Sequence, residues 1–287
     1  VQTVDDCIAK YSELCRVAFT PMSKSVSKFD HVVLEDIFKR VIRESPLALE
    51  PDAPLRDHGG CKTFVVAIKL RGAGSIASIM RSYDTATADA STALIWQAAR
   101  ATSAAPTFFD PITIDGVEYG DGGTGWNNPA AEAITEARNI WSNRPLGCLL
   151  SLGTGLEDAN QLSGNNDTKP EGASRFLHRF SPRTAFRIKV AEYCVSSLTS
   201  CEKTHQDIST KYAGQIVLNR TYFRFNVPQG LSATRLEEWE KIGDIVSLTE
   251  DYMQTGEVLE NKQAVARVLL KPDLASLGRL SFNNLCI

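Results

Sequence analysis

Ile112-Thr113-Ile114-Asp115-Gly116-Val117-Glu118-Tyr119-Gly120-Asp121-Gly122-Gly123-Thr124-Gly125-Trp126-Asn127-Asn128-Pro129 is the stretch that decides how this chain is read. Its first half is two short β-prone arms around Asp115-Gly116. That pair suits a type I′ turn, in which both central residues need positive φ. Asn128-Pro129 then supplies a helix start, with Asn at the cap and Pro at the first helical position. Ile134, Ala137 and Trp141 give the helix an apolar face. Residues 147–152, Gly-Cys-Leu-Leu-Ser-Leu, form the next strand, broken at Gly153-Thr154-Gly155. Strand, helix and strand in that order imply a parallel crossover. The expected fold class is therefore α/β, with a mostly parallel sheet, helices on both faces and a helical C-terminal part.

Outward from this stretch the pattern continues. Upstream, residues 63–70 make a β-branched apolar run that reads as a buried strand, and residues 76–83 offer another. The Ala-rich segment from Ser91 to Ala101 reads as a helix closed by Pro106. Leu34, Ile37, Phe38, Val41 and Ile42 fall at helical spacing before Pro46. Residues 3–19 read as a further helix, and 46–60 as a polar loop. Downstream, residues 156–172 are polar and Gly/Asn-rich. Beyond them, a strand near 221–226 interrupts helical sequence in which Thr234 and Glu237 have capping-box spacing.

Composition excludes some classes. With 287 residues, a formal net charge of −3 leaves no basic excess to neutralise phosphates, so no nucleic-acid partner is expected. No apolar run approaches the ~20 residues of a membrane span. Seven cysteines include no C-x-x-C pair, which points to a reducing compartment and a cytoplasmic location. The sequons at Asn166 and Asn219 carry no meaning there.

Taken alone, the residues around Asp121 admit three readings. The glycines serve a turn, with Asp121 at the surface. Or they cradle a phosphate at a helix N-terminus, although the spacing is not G-x-G-x-x-G and no Lys-Ser/Thr follows. Or Asp121 is a catalytic carboxylate at a strand end, with Gly122 and Gly123 shaping its loop. Cys201 and His205 share the i, i+4 spacing of a metal pair but lack further ligands with suitable spacing. His31, His58 and His178 sit in no recognised motif.

The wider sequence resembles the patatin-like phospholipases. The resemblance rests on Trp96-Gln97-Ala98-Ala99-Arg100-Ala101-Thr102-Ser103-Ala104-Ala105-Pro106-Thr107-Phe108-Phe109, on Asp121-Gly122-Gly123, on Asn127-Asn128-Pro129 and on Ser151-Leu152-Gly153-Thr154-Gly155. It implies a serine–aspartate dyad that hydrolyses acyl esters of phospholipids or galactolipids, with Asp121 as base and no metal or organic cofactor. It implies a lipid substrate at a membrane surface, and helical-repeat or nucleotide-binding domains in a longer protein. Thr124 and Asn128 fall to structural roles. The family's other two elements, a G-x-S-x-G elbow and a G-G-G-x-R/K-G loop, occur nowhere in these residues. On this reading residues 1–270 are a patatin-like domain truncated at its N-terminus, 271–287 a tail or linker, and the chain alone is inactive. A family member that lost its nucleophile, acting as a lipid-binding or scaffolding module, is the alternative. Asp121 is expected at the end of a β-arm beside an apolar cleft. Unpaired sheet edges with exposed apolar side chains are expected near 63–70 or 112–119.

Overall fold

Val66 and Ala67 point to opposite faces of one strand, and each face is covered by a different helix. The computed structural model describes residues 3–21, 27–56, 60–71, 74–142, 144, 146–156, 201–210, 221–228, 230–231 and 234–270. Within them β1 (Phe64–Arg71) is the axis of a four-stranded sheet with β2 (Gly74–Arg81), β3 (Ile112–Ile114) and β4 (Val117–Asp121), in the order β2-β1-β4-β3. On one face Val65 and Ala67 pack with Ala98 and Ala101 of α3 (Ile95–Thr102) and with Ile112 and Ile114. On the other, Phe64 and Val66 pack with Ala130, Ala133 and Ile134, of which α5 (Ala130–Ile140) carries all three, and with Leu149 and Ile208. Helices on both faces are thus found as expected, in an α/β fold.

The strand direction corrects the sequence reading. All three pairings in the four-stranded sheet are antiparallel, not parallel. The cause is connection length: only two residues separate β1 from β2, and two separate β3 from β4. Such links join antiparallel neighbours, because a parallel pair needs a crossover of a dozen or more residues. Parallel pairing occurs between β5 (Leu149–Leu152) and β6 (Tyr222–Phe225), which form a separate two-stranded sheet. The helix after β4 therefore leads to a strand that pairs with a segment 70 residues further on, not with β4.

The expected edge at residues 63–70 is corrected too, since β1 is paired on both sides. At 112–119, β3 does lie at the sheet margin, but Ile112 and Ile114 are buried. Exposed apolar residues stand instead on β5, where Leu149 and Ser151 turn inward while Leu150 and Leu152 are 43% and 72% exposed. The β3–β4 hairpin is as read: Asp115 and Gly116 take φ of 50° and 74°.

The N-terminal helices form a second core beside α3. α1 (Val4–Ala18) is closed by a capping box between Thr3 and Asp6, and α2 (His31–Arg43) is capped by Asp30. Phe29 is 1% exposed and contacts Phe19, Phe108 and Phe109 with centroids 5.1–5.9 Å away. Backbone bonds from Lys28 to Thr107 (2.9 Å) and from Phe29 to Phe108 (3.0 Å) lash this unit to the segment after α3. Arg100 is buried there. Its guanidinium donates to the Asp110 carbonyl and lies 3.6 Å from Glu35. Ser27 bonds the Asp110 carboxylate, whose other oxygen faces His31 at 3.3 Å.

At the C-terminal side the helical residues 201–210 are α6, followed by α7 (Ile242–Met253) and α8 (Gly256–Leu269). The expected capping box at Thr234 is not formed. Glu237 pairs with Lys28 instead, and a 3-10 turn, Trp239–Lys241, precedes α7. The loop expected at 156–172 lies, apart from Leu156, outside the described residues, as do His58, His178 and 271–287.

Candidate active site

Asp121 ends β4, opposite Ala67 of β1, and is half-buried. Its backbone is fixed first. The Asp121 amide donates to the Ala104 carbonyl at 3.1 Å, which joins the strand end to the small-residue segment after α3. Ala101, Ala104 and Ala105 are each at most 3% exposed, so larger side chains would push these backbones apart. The carboxylate is fixed next: Oδ1 accepts the Gly123 N–H at 2.7 Å.

Gly122 is required by space. A Cβ there would lie 2.2 Å from the Val66 carbonyl oxygen. The same oxygen accepts the Thr102 hydroxyl at 2.7 Å. β1, α3 and the turn after β4 therefore meet at one carbonyl. The short α4 (Gly123–Trp126) follows, with non-helical backbone at Thr124 (ψ 79°) and Gly125 (φ 104°). The phosphate-cradle reading needs a regular helix N-terminus, and this turn does not provide one.

Asn128 closes the loop. Its Oδ1 accepts the Ala130 N–H at 3.3 Å just ahead of α5, whose cap position is Pro129, one residue later than the sequence reading placed it. Its Nδ2 donates to the Cys201 carbonyl at 3.2 Å. Ser151 Oγ lies 3.3 Å from Asn128 Oδ1, and Arg224 Nη1 donates to Ser151 Oγ at 2.9 Å. Sequence reasoning placed Asn128 as a cap but had no means of pairing it with Ser151 and Arg224, which lie 23 and 96 positions away.

The titratable groups beside this network are ruled by burial. It pushes the Cys201 thiol up, against the lowering influence of Arg224 and Asn127. It likewise pushes the Tyr222 hydroxyl up and the His205 imidazole down. Cys201 and His205 share α6 but serve different partners, His205 Nδ1 facing the Tyr222 hydroxyl at 2.9 Å. Among the described residues no group of three or more His, Cys, Asp or Glu is placed to hold a metal ion. No described helix is long and apolar enough to cross a membrane.

Residues 27–134 match the family model of the patatin-like phospholipases, a span that runs from the strap before α2 through Asp121 into α5. That segment belongs to the patatin-like phospholipase family. Calcium-independent phospholipase A2-gamma of Mus musculus is 33% identical over 132 residues, which are 46% of this chain and 14% of that protein. The Homo sapiens protein of the same name is 30% identical over 132 residues, with the same coverage. Phospholipase A I of Arabidopsis thaliana is 28% identical over 144 residues, 50% of this chain and 9% of that protein. The chain thus spans a small part of the length of the patatin-like relatives it matches.

Proposed function

We propose that this chain carries the carboxylate half of a serine–aspartate acyl hydrolase acting on phospholipid or galactolipid esters. The observation that carries the reading is Asp121 itself: a carboxylate held by a backbone amide at the end of a strand, within the matched family segment. A serine hydroxyl is a weak nucleophile until a base takes its proton. Asp121 accepts that proton as the serine oxygen attacks the ester carbonyl. The departing alcohol takes the proton back, and an acyl-serine remains. Water then repeats the sequence in reverse roles, while backbone N–H groups hold the oxyanion. No step calls for a metal or an organic cofactor.

The reading requires a G-x-S-x-G elbow from outside residues 1–287, since none occurs within them. We place the patatin-like unit at residues 1–270, with Asp121 facing an apolar cleft, and the protein in the cytoplasm, peripheral at a membrane surface. The absent elbow motif also favours a second reading, a lipid-binding or scaffolding module without turnover. Asp121→Asn, assayed in the protein as its gene encodes it with any residues ahead of Val1 included, separates the two. Hydrolysis lost on substitution supports the dyad. Absence of hydrolysis in the unsubstituted protein, with retained binding to phospholipid vesicles, supports the module.

A further inference from the structure

The loop that carries Asp121 is pinned at both ends, and the side chains that brace the second pin lie outside the loop's own sequence motif. At the near end Gly122 is wedged against Val66. Between the pins the backbone is irregular, and the buried Thr124 hydroxyl has no hydrogen-bond partner that would hold it. At the far end stands Asn128, 4% exposed. Its carboxamide is engaged by Ala130, Cys201 and Ser151. Ser151 has one proton, and Asn128 Oδ1 is the acceptor that faces it. Its lone pairs are left for Arg224. Arg224, with a side chain 7% exposed, also reaches Glu202 at 3.4 Å.

A buried guanidinium is costly unless its donors are used in one arrangement, so such a network specifies position. Among the described residues β5 and β6 share no backbone pairing with the sheet of β4. The Arg224–Ser151–Asn128 chain is a polar link between them. We propose that Arg224 and Ser151 are positioning residues, which act through Asn128 to hold the loop from Gly122 to Asn128 and so the Asp121 carboxylate. The catalytic half of this inference rests on the reading of Asp121 given above. The geometric half does not.

The test uses Ser151→Ala, which removes one oxygen from the middle of the chain, and Ser151→Thr, which keeps the hydroxyl. In the 287-residue chain, hydrogen exchange of the Gly123 and Ala130 amides should accelerate at least tenfold in Ser151→Ala. The β1 amides should keep their rates, and Ser151→Thr should restore most of the protection. An unchanged Gly123 amide would overturn the inference. So would an equal acceleration throughout β1, which marks general loosening. In the gene-encoded protein, Ser151→Ala should lower kcat roughly 10²-fold, the scale of a displaced catalytic group, with KM within about twofold. An unchanged kcat would overturn the catalytic half. Full activity in Asp121→Asn would remove the base assignment while leaving the exchange result to decide the geometry.

Discussion

The Val66 carbonyl oxygen occupies the space where a side chain on Gly122 would begin, 2.2 Å from an ideal Cβ. Val66 is paired with Ile79 of β2, and its carbonyl also accepts the Thr102 hydroxyl, so it cannot retreat without disturbing β1 and that bond. Gly122→Ala should therefore destabilise the fold by about 1–3 kcal/mol or more, the usual scale of overpacking against a rigid neighbour. Urea denaturation of the two proteins measures it. A loss under roughly 0.5 kcal/mol, as for an ordinary surface change, would show that the turn yields.

Glu136 offers a cleaner electrostatic test. Its carboxylate receives Arg81 through two bonds, at 2.6 and 2.8 Å, and the Tyr83 hydroxyl at 2.9 Å, with 5% of its side chain exposed. Burial opposes the charge, yet the bonds from Arg81 and Tyr83 hold the carboxyl below its ordinary value of 4.5. Glu136→Gln leaves Arg81 buried without a counter-charge, and removal of one partner from such a pair costs about 3–5 kcal/mol. A shift in the denaturation midpoint of the expected size would confirm it.

The same pair sets a pH dependence. A carboxyl with a depressed folded pKa binds more protons when unfolded, so its contribution is present above 4.5 and fades as pH falls through the folded value. Stability should drop on acidification below about 4.5, the ordinary carboxyl value, and the drop should be shallower in Glu136→Gln. Equal slopes in the two proteins would assign acid sensitivity to other groups.

The hairpin was legible because its determinants are adjacent. Asp115-Gly116 needs no distant residue to take positive φ, and a Gly116→Ala variant should lose about 1–2 kcal/mol for left-handed backbone at a residue with a Cβ. The helices α1, α2, α3 and α5 were legible from periodicity for the same reason. Strand partnership was not, because periodicity says which side chains face inward and nothing of which strand lies alongside. β5 shows the difference. Its inward Leu149 and Ser151 alternate as a strand should, but its partner β6 lies 70 residues away. The site divided in the same way. Asp121, Gly122 and Gly123 stand in one short motif. Thr102, Ala104, Ser151 and Arg224 meet that motif only once the chain is folded.

Among the described residues β5 pairs with β6 alone, and exposed Leu150 and Leu152 on its outer face invite association with other chains. Replacement of both by Lys should leave the melting temperature close to that of the parent. It should also reduce light scattering on concentration. A large loss of stability would mean that these leucines are covered in solution.

The most direct measurement concerns Asp121. In the gene-encoded protein, hydrolysis of a phospholipid ester should fall roughly 10²-fold or more in Asp121→Asn, the scale of a lost general base. Cooperative melting should be retained, because Asn keeps the shape of the side chain and can still accept the Gly123 N–H. A near-parental rate in a folded Asp121→Asn protein would contradict the assignment of Asp121 as the base.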